Sequence, residues 1–343
     1  MWYIKLAETN LFPDWLLRLG VRISLWIGVL QKKIKPFAER EEEMQRLIEK
    51  LKASPVAVQT DKPNVQHYEV PSDFFALVLG PQLKYSCCYW PKGVDSLQEA
   101  EEAMLSLTAD RARLQDGMHI LDLGCGWGSF SLWAARRYPN TSFTAISNSR
   151  TQKEFIDERC RNLDLGNVRT ITADIAELDF KGRYDRIISI EMFEHMKNYK
   201  KLLEHLCTLL NAKGMLFIHI FSNMHLAHEF NVNDRNSWMA KTFFTGGIMP
   251  SDDLLLHFQE DLCLQEHWRL NGKHYTRTLN AWLENMYKNK KQIFPILSDT
   301  YGTKNRKRWW FNWKLFFLGC AETWRLKKGE EFIVSHYLFS KRD

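Results

Sequence analysis

No two cysteines of this chain stand as a CxxC pair, and no histidine and cysteine cluster carries zinc spacing. That removes structural zinc modules and thioredoxin-type redox motifs, and no metal site is expected. The seven cysteines (Cys87, Cys88, Cys125, Cys160, Cys207, Cys263 and Cys320) read as thiols of a reducing compartment, so the expected location is cytoplasmic. Adjacent Cys87 and Cys88 read as free thiols in a shaped wall rather than as a vicinal disulfide. A signal peptide is not expected either, because Lys5, Glu8 and Asn10 interrupt the first residues and no small-residue cleavage site follows. The longest apolar run, 23–30, falls far short of the roughly 18 residues that cross a bilayer. Charge of one sign is not in excess: 47 basic against 41 acidic residues leave +6, too little to mark a dedicated polyanion binder. Internal repeats and low-complexity tracts are absent.

What the 343 residues do contain is material for a large core, with 45% hydrophobic and 13% aromatic residues. After Pro13, an apolar series (Trp15, Leu16, Leu19, Ile23, Trp26, Ile27, Leu30) alternates with Arg18, Arg22, Lys32, Lys33 and Lys35. This predicts a basic amphipathic helix. Such stripes usually lie on a domain's own core, which is the expected placement; peripheral contact with a membrane surface or docking of a partner is the alternative. A charged helix over 40–52 and a linker over 53–64 complete a helical N-terminal extension, 1–64, before the main domain at 65–343.

From Met118 onward the rhythm changes. Short apolar runs at 119–123, 142–146, 168–173, 186–190 and 215–220 alternate with helical patterns at 127–138, 151–163 and 199–211. Strand alternating with helix predicts an α/β fold with a mostly parallel, doubly wound, Rossmann-like sheet. Two further strands, 262–270 and 331–340, are expected at its edge. The insertion 222–261 carries Trp238, Phe243, Phe244, Gly246, Gly247 and Pro250; it reads as a helical lid walling the site.

The first strand runs into Asp122-Leu123-Gly124-Cys125-Gly126-Trp127-Gly128. Glycines at a strand-to-helix turn let backbone approach a ligand, and ligands of open α/β sheets lie beyond the carboxyl ends of the strands. The spacing is GxGxG, not the GxGxxG of dinucleotide binders, and no phosphate-loop lysine follows. Asp174-Ile175, after the third strand, suits an adenine edge and face. Asn148 and Gln152, after the second, are placed to take ribose hydroxyls by neutral hydrogen bonds. Together these resemble class I S-adenosylmethionine-dependent methyltransferases, which implies S-adenosyl-L-methionine as cofactor.

Glu191, Glu194 and His195 follow the fourth strand. If they open a helix, Glu191 and His195 stand four apart on one face and touch. Methyl transfer to an amine needs a positioned nucleophile and removal of a proton. His195 is the better base by unperturbed pKa, with Glu191 holding its tautomer and attracting a cationic amine. Helix capping and lid anchoring are the structural alternatives for the same side chains.

In this order, HYEVPSDFF, LKYSCCYW, LDLGCGWGS, NSRTQKEFI, YDRIISIEMFEHMKNY, TGGIMPS and NGKHYTRT resemble the cyclopropane-fatty-acyl-phospholipid synthase superfamily and, within it, the coclaurine N-methyltransferase-like proteins. The likeness runs from about Leu11 to the C-terminus. It implies that Tyr85 and Ser86 contact the methionine end of the cofactor, that Gly124 and Gly126 contact its backbone-facing side, and that Glu191 and His195 are catalytic with Glu194 and Glu69 near the amine. The lipid cyclopropane synthases instead use a bicarbonate base, whose holding set maps to Cys87, Glu194, His219 and Tyr275.

The leading expectation is therefore transfer of the cofactor methyl to a small aromatic or cyclic amine, in a pocket walled by Trp90, Phe193, Trp238 and Phe244. A lipid cyclopropane synthase or fatty-acyl methyltransferase with a bicarbonate base is the alternative. A third reading, a nucleic-acid binder using the basic and aromatic run 304–310, yields to that of a solvated helix start with buried tryptophans, so no nucleic-acid partner is expected. Cys320 reads as a buried core cysteine.

Overall fold

The computed structural model describes residues 12–33, 35–57, 70–230 and 238–342. In chain order the elements are α1 (Asp14–Lys33), α2 (Phe37–Ala53), α3 (Ser72–Val78), α4 (Leu97–Arg111), β1 (His119–Leu123), α5 (Ser129–Arg137), β2 (Ser142–Ser147), α6 (Arg150–Asn162), β3 (Val168–Thr172), β4 (Tyr184–Ile190), α7 (Tyr199–Leu209), β5 (Leu210–Asn223), β6 (His228–Glu229), α8 (Trp238–Thr242), β7 (Ile248–Met249), β8 (Leu262–Leu270), α9 (Lys273–Lys288), α10 (Lys290–Tyr301), α11 (Arg306–Arg325) and β9 (Phe332–Lys341).

Seven strands form one sheet in the order β3-β2-β1-β4-β5-β9-β8. The first five are parallel, as their alternation with helices demands. β9 does not sit at the edge: it inserts antiparallel between β5 and β8, leaving β8 outermost. Because β1 lies between β2 and β4, the chain leaves β1 to one side and later returns to the other. That reversal opens a crevice at the carboxyl ends of β1 and β4.

Local signals start the helices. Ser96 accepts from the Glu99 amide while the Glu99 side chain accepts from the Ser96 amide, a reciprocal box opening α4. The side chain of Ser149 opens α6 in the same sense, accepting from the Gln152 amide.

The N-terminal helix departs from expectation. Its apolar stripe faces solvent, with Trp15 66%, Ile23 53% and Trp26 58% exposed. The helix is instead held by its other side: Leu17 and Val29 pack on the core, and Arg18 and Arg22 pair with the buried Glu322 of α11 at 2.8 and 2.5 Å. The insertion also differs from a helical lid. Its described part holds a two-stranded pair, β6 with β7, one helical stretch of five residues, and a short turn at Leu254–His257. At the other end of the fold, Trp310 is buried and Trp309 stacks on Tyr301 at 4.0 Å while Lys304, Lys307 and Arg308 stay exposed, as the solvated helix start required. All seven cysteines are free thiols. No described helix is long and apolar enough to cross a membrane, and no cluster of metal-ligating side chains occurs among the described residues.

Candidate active site

At the β1–α5 turn the backbone is bent where only glycine is comfortable. Gly124 has φ +80°, and a Cβ there would stand 2.7 Å from Met192 Cγ. Gly126, at φ +54°, faces open space. Two hollows border this turn, and a third adjoins them through Glu191. One, of about 720 Å³, is lined by Gly124, Gly126, Asn148, Gln152, Asp174 and Ile175. A second runs under Lys84, Tyr85, Ser86 and Asp122. The third, of about 580 Å³, is walled by Tyr85, Phe221, Phe244, Trp282, Phe316 and Trp324, with Tyr275, Leu279 and Cys320. Glu191 lines all three.

The first two hollows fit S-adenosylmethionine. Gln152 is buried; its Oε1 accepts from Ser147 Oγ at 2.6 Å, and its buried Nε2 has no partner among the described residues. A buried donor left unpaired is costly, and a ligand hydroxyl would satisfy it. Asp174 accepts from the Ala176 amide at 2.8 Å and starts a short turn that presents the side chain of Ile175. Tyr85 lies between Phe75 and Trp282, with ring centroids 5.0 and 5.5 Å away. Ser86 Oγ accepts from the buried Lys84 ammonium at 2.5 Å, and that ammonium also donates to the Cys87 carbonyl at 2.7 Å. Asp122 accepts from Ser131 Oγ at 2.6 Å, and burial raises its pKa to about 6.

At the reacting end the expected helix is absent. β4 stops at Ile190, Glu191 takes a left-handed backbone at φ +47°, and a tight turn Phe193–His195 follows. A non-glycine residue in that region is strained, and such strain clusters at functional positions. The turn aims the Glu191 carboxylate at the top of the sheet rather than along a helix face toward His195. Oε1 accepts from the Cys87 amide at 3.0 Å and lies 3.2 Å from His219 Nε2; Oε2 accepts from the Tyr275 hydroxyl at 2.6 Å. Burial raises the pKa of Glu191, opposed first by the Lys84 cation.

His195 lines both the cofactor hollow and the aromatic one, and its ring is parallel to that of Phe244 at 6.2 Å. Its Nδ1 is buried without a partner among the described residues, and burial lowers its pKa to about 4. The unperturbed order of basicity is thus inverted: the carboxylate has become the stronger base and the imidazole the weaker one. Glu194 stands behind the site. It is fully buried and accepts from the Phe221 amide at 2.9 Å, and burial, together with the negative charge of Glu191, raises its pKa well above the ordinary carboxylate value. Glu69 lies outside the described residues.

Three members of the expected bicarbonate set, Cys87, His219 and Tyr275, therefore converge on an oxyanion, but that oxyanion is the chain's own Glu191. Of the aromatics expected around an acceptor, only Phe244 lines the third hollow. Trp90 donates to Thr278 Oγ1 and lies under Arg277, Phe193 packs on Tyr199, and Trp238 packs on Phe243. The wall comes instead from Phe221 at the end of β5 and from α9 and α11. Cys320 is both buried, as expected, and part of that wall.

The sequence model described as mycolic acid cyclopropane synthetase matches residues 57–331. An (S)-coclaurine N-methyltransferase of Thalictrum flavum subsp. glaucum is 35% identical over 99% of this chain and 95% of its own length. A cyclopropane-fatty-acyl-phospholipid synthase of Escherichia coli K12 is 30% identical over 76% of this chain and 64% of its own. The crystal structure of a coclaurine N-methyltransferase bound to N-methylheliamine and SAH superposes with a TM-score of 0.95 at 36% identity, over 99% of both chains. The chain belongs to the mycolic acid cyclopropane synthetase family and is an S-adenosylmethionine-dependent methyltransferase.

Proposed function

We propose that this enzyme methylates the nitrogen of a small aromatic or cyclic amine, held in the aromatic hollow with Glu191 at its cofactor-facing end. The observation that carries the reading is the position of Glu191, one carboxylate lining the cofactor hollows and the acceptor hollow at once. S-adenosylmethionine, when bound, supplies an electrophilic methyl group. Gly124, Gly126, Asn148, Gln152, Asp174 and Ile175 would hold its nucleoside side, and Tyr85, Ser86 and Asp122 its amino-acid side. Aromatic faces attract a cationic amine, and the carboxylate gives it a counter-charge. Glu191 then takes the proton that must leave before nitrogen is nucleophilic, and neutral His195 accepts a hydrogen bond that orients the amine. The similarity to coclaurine N-methyltransferases supports an amine acceptor.

The cyclopropane synthase alternative is weakened by the same geometry. Its bicarbonate would need the donors that Glu191 already engages, and a neutral alkene gains nothing from the counter-charge that Glu191 offers a cationic amine. The exposed stripe of α1, bordered by Arg22, Arg325 and Lys327, supports peripheral contact of this helix with an anionic membrane surface. The free thiols support a cytoplasmic setting.

The test offers the purified enzyme S-adenosylmethionine with tetrahydroisoquinolines and phenethylamines in one series and oleoyl phospholipid vesicles with bicarbonate in another, reading S-adenosylhomocysteine release. Release with amines, lost by at least about 100-fold in Glu191→Gln with S-adenosylhomocysteine binding retained, is expected. Release with vesicles alone would overturn the reading.

A further inference from the structure

Behind Glu191 lies a chain of side chains whose proton positions are dictated from its far end. His219 on β5 and His336 on β9 are direct cross-strand partners, and both are fully buried. His219 Nε2 is 3.2 Å from Glu191 Oε1, His219 Nδ1 is 2.9 Å from His336 Nε2, and His336 Nδ1 is 2.8 Å from a terminal nitrogen of Arg111. Arg111 ends α4, and its guanidinium lies over the ring of Trp268 at 4.9 Å, itself the β8 partner of His336.

Guanidinium carries donors only. His336 Nδ1 must therefore accept, so its proton is on Nε2. That N–H donates to His219 Nδ1, which places the His219 proton on Nε2, pointing at Glu191. Each bond forces the next, and protonating either imidazole would set two N–H groups against each other. We infer that Arg111 and His336 are positioning residues for methyl transfer: acting through His219, they fix a donor on Glu191 and keep its buried carboxylate ionised and aimed. The inference rests on the reading of Glu191 as the reacting carboxylate.

The other groups around Glu191 are Lys84 and Cys87 from the loop after α3, Glu194 and His195 from its own turn, Tyr275 from α9 and Cys320 from α11. Of these, Lys84 stabilises the ionised form at a distance and Tyr275 donates to the opposite oxygen. The histidine chain is what feeds Oε1 from the side of the sheet.

The test uses the whole protein with S-adenosylmethionine and 1,2,3,4-tetrahydroisoquinoline. Arg111→Met is expected to move the acid limb of the kcat/KM profile upward by about one pH unit, with activity recovering at alkaline pH and S-adenosylhomocysteine affinity unchanged; Arg111→Lys, which keeps a donor, restores the wild-type limb. An unmoved limb in Arg111→Met, with Glu191→Gln inactive, would overturn the relay while leaving the Glu191 reading intact. An active Glu191→Gln would instead remove the reading on which the relay rests. Independently of turnover, ¹⁵N-histidine spectra of the wild type at pH 7, assigned with His219→Gln and His336→Gln, should show both rings neutral with the proton on Nε2. An Nδ1–H or cationic form of either ring would overturn the inference.

Discussion

The Tyr275 hydroxyl and the Glu191 carboxylate are 2.6 Å apart, the shortest of the contacts that fix that carboxylate. Burial and the negative charge of Glu191 push the phenol pKa well up, so it remains a donor. Removing it in Tyr275→Phe takes away a charge-assisted hydrogen bond worth about 1.5–3 kcal/mol. The expected result is a fall in kcat of roughly 10- to 100-fold, with KM for S-adenosylmethionine unchanged, measured by steady-state kinetics.

The pH profile separates the two candidate bases. Activity that needs the Glu191 carboxylate is lost as pH falls through its raised pKa, above the ordinary 4.5. His195, at about 4, is neutral over that whole window. His195→Gln should therefore lower kcat without moving the acid limb, whereas a moved limb would make the imidazole the titrating base.

Gly124 has no room for a side chain. In Gly124→Ala the new Cβ meets Met192 Cγ and Cβ, at 2.7 and 2.9 Å, in a backbone conformation that alanine disfavours. Calorimetry should show S-adenosylhomocysteine affinity reduced about tenfold or more, equivalent to about 1.4 kcal/mol.

Glu101 governs stability rather than turnover. Its carboxylate accepts from the amides of Gly80, Gln82 and Lys84, the last opening the stretch that supplies Tyr85 and Ser86. Burial raises its pKa from 4.5 to about 7. The folded state thus holds a proton that the unfolded chain releases, and this group's contribution is lost as pH rises from about 4.5 through about 7. Thermal melts of the wild type should carry that downward slope, and Glu101→Gln should flatten it.

The stripe of α1 can be tested apart from the site. Ile23→Glu with Trp26→Glu should leave amine turnover unchanged and abolish co-sedimentation with phosphatidylserine-containing vesicles. Equal sedimentation of variant and wild type would remove the membrane role.

The sheet was legible because its strands are short, apolar and separated by helices, so β1 and β8 begin and end where their patterns do. The extent of β5 was not: its start at Leu210–Gly214 reads partly as the end of the preceding helix and pairs only through Leu210 with Tyr184 of β4, β9 joining from Met215 onward. The residues lining the first hollow could be proposed from the sequence for a local reason, since Gly124, Gly126, Asn148, Gln152, Asp174 and Ile175 each follow a strand end, whereas Tyr85 and Ser86 rest on the resemblance alone. The reacting side depends on contacts across about a hundred residues or more, Cys87 to Glu191 and His219 to His336, which no spacing reveals. Phe316 and Trp324 sit in a helix whose apolar side reads as ordinary core, and only packing shows that part of it faces a hollow. The α1 stripe misled for the opposite reason: periodicity reports that a helix is two-faced, and not which face is covered.

Cys87 touches Glu191 through its amide, yet its thiol is fully buried, donates to the Cys88 carbonyl, and is driven well above the usual thiol range by burial and by the neighbouring carboxylate. A thiolate is a far better nucleophile than an amine, and a sulfonium methyl beside one would alkylate the enzyme itself. The carboxylate proposed to prepare the substrate thereby also disfavours the thiolate of this cysteine, which lines none of the three hollows.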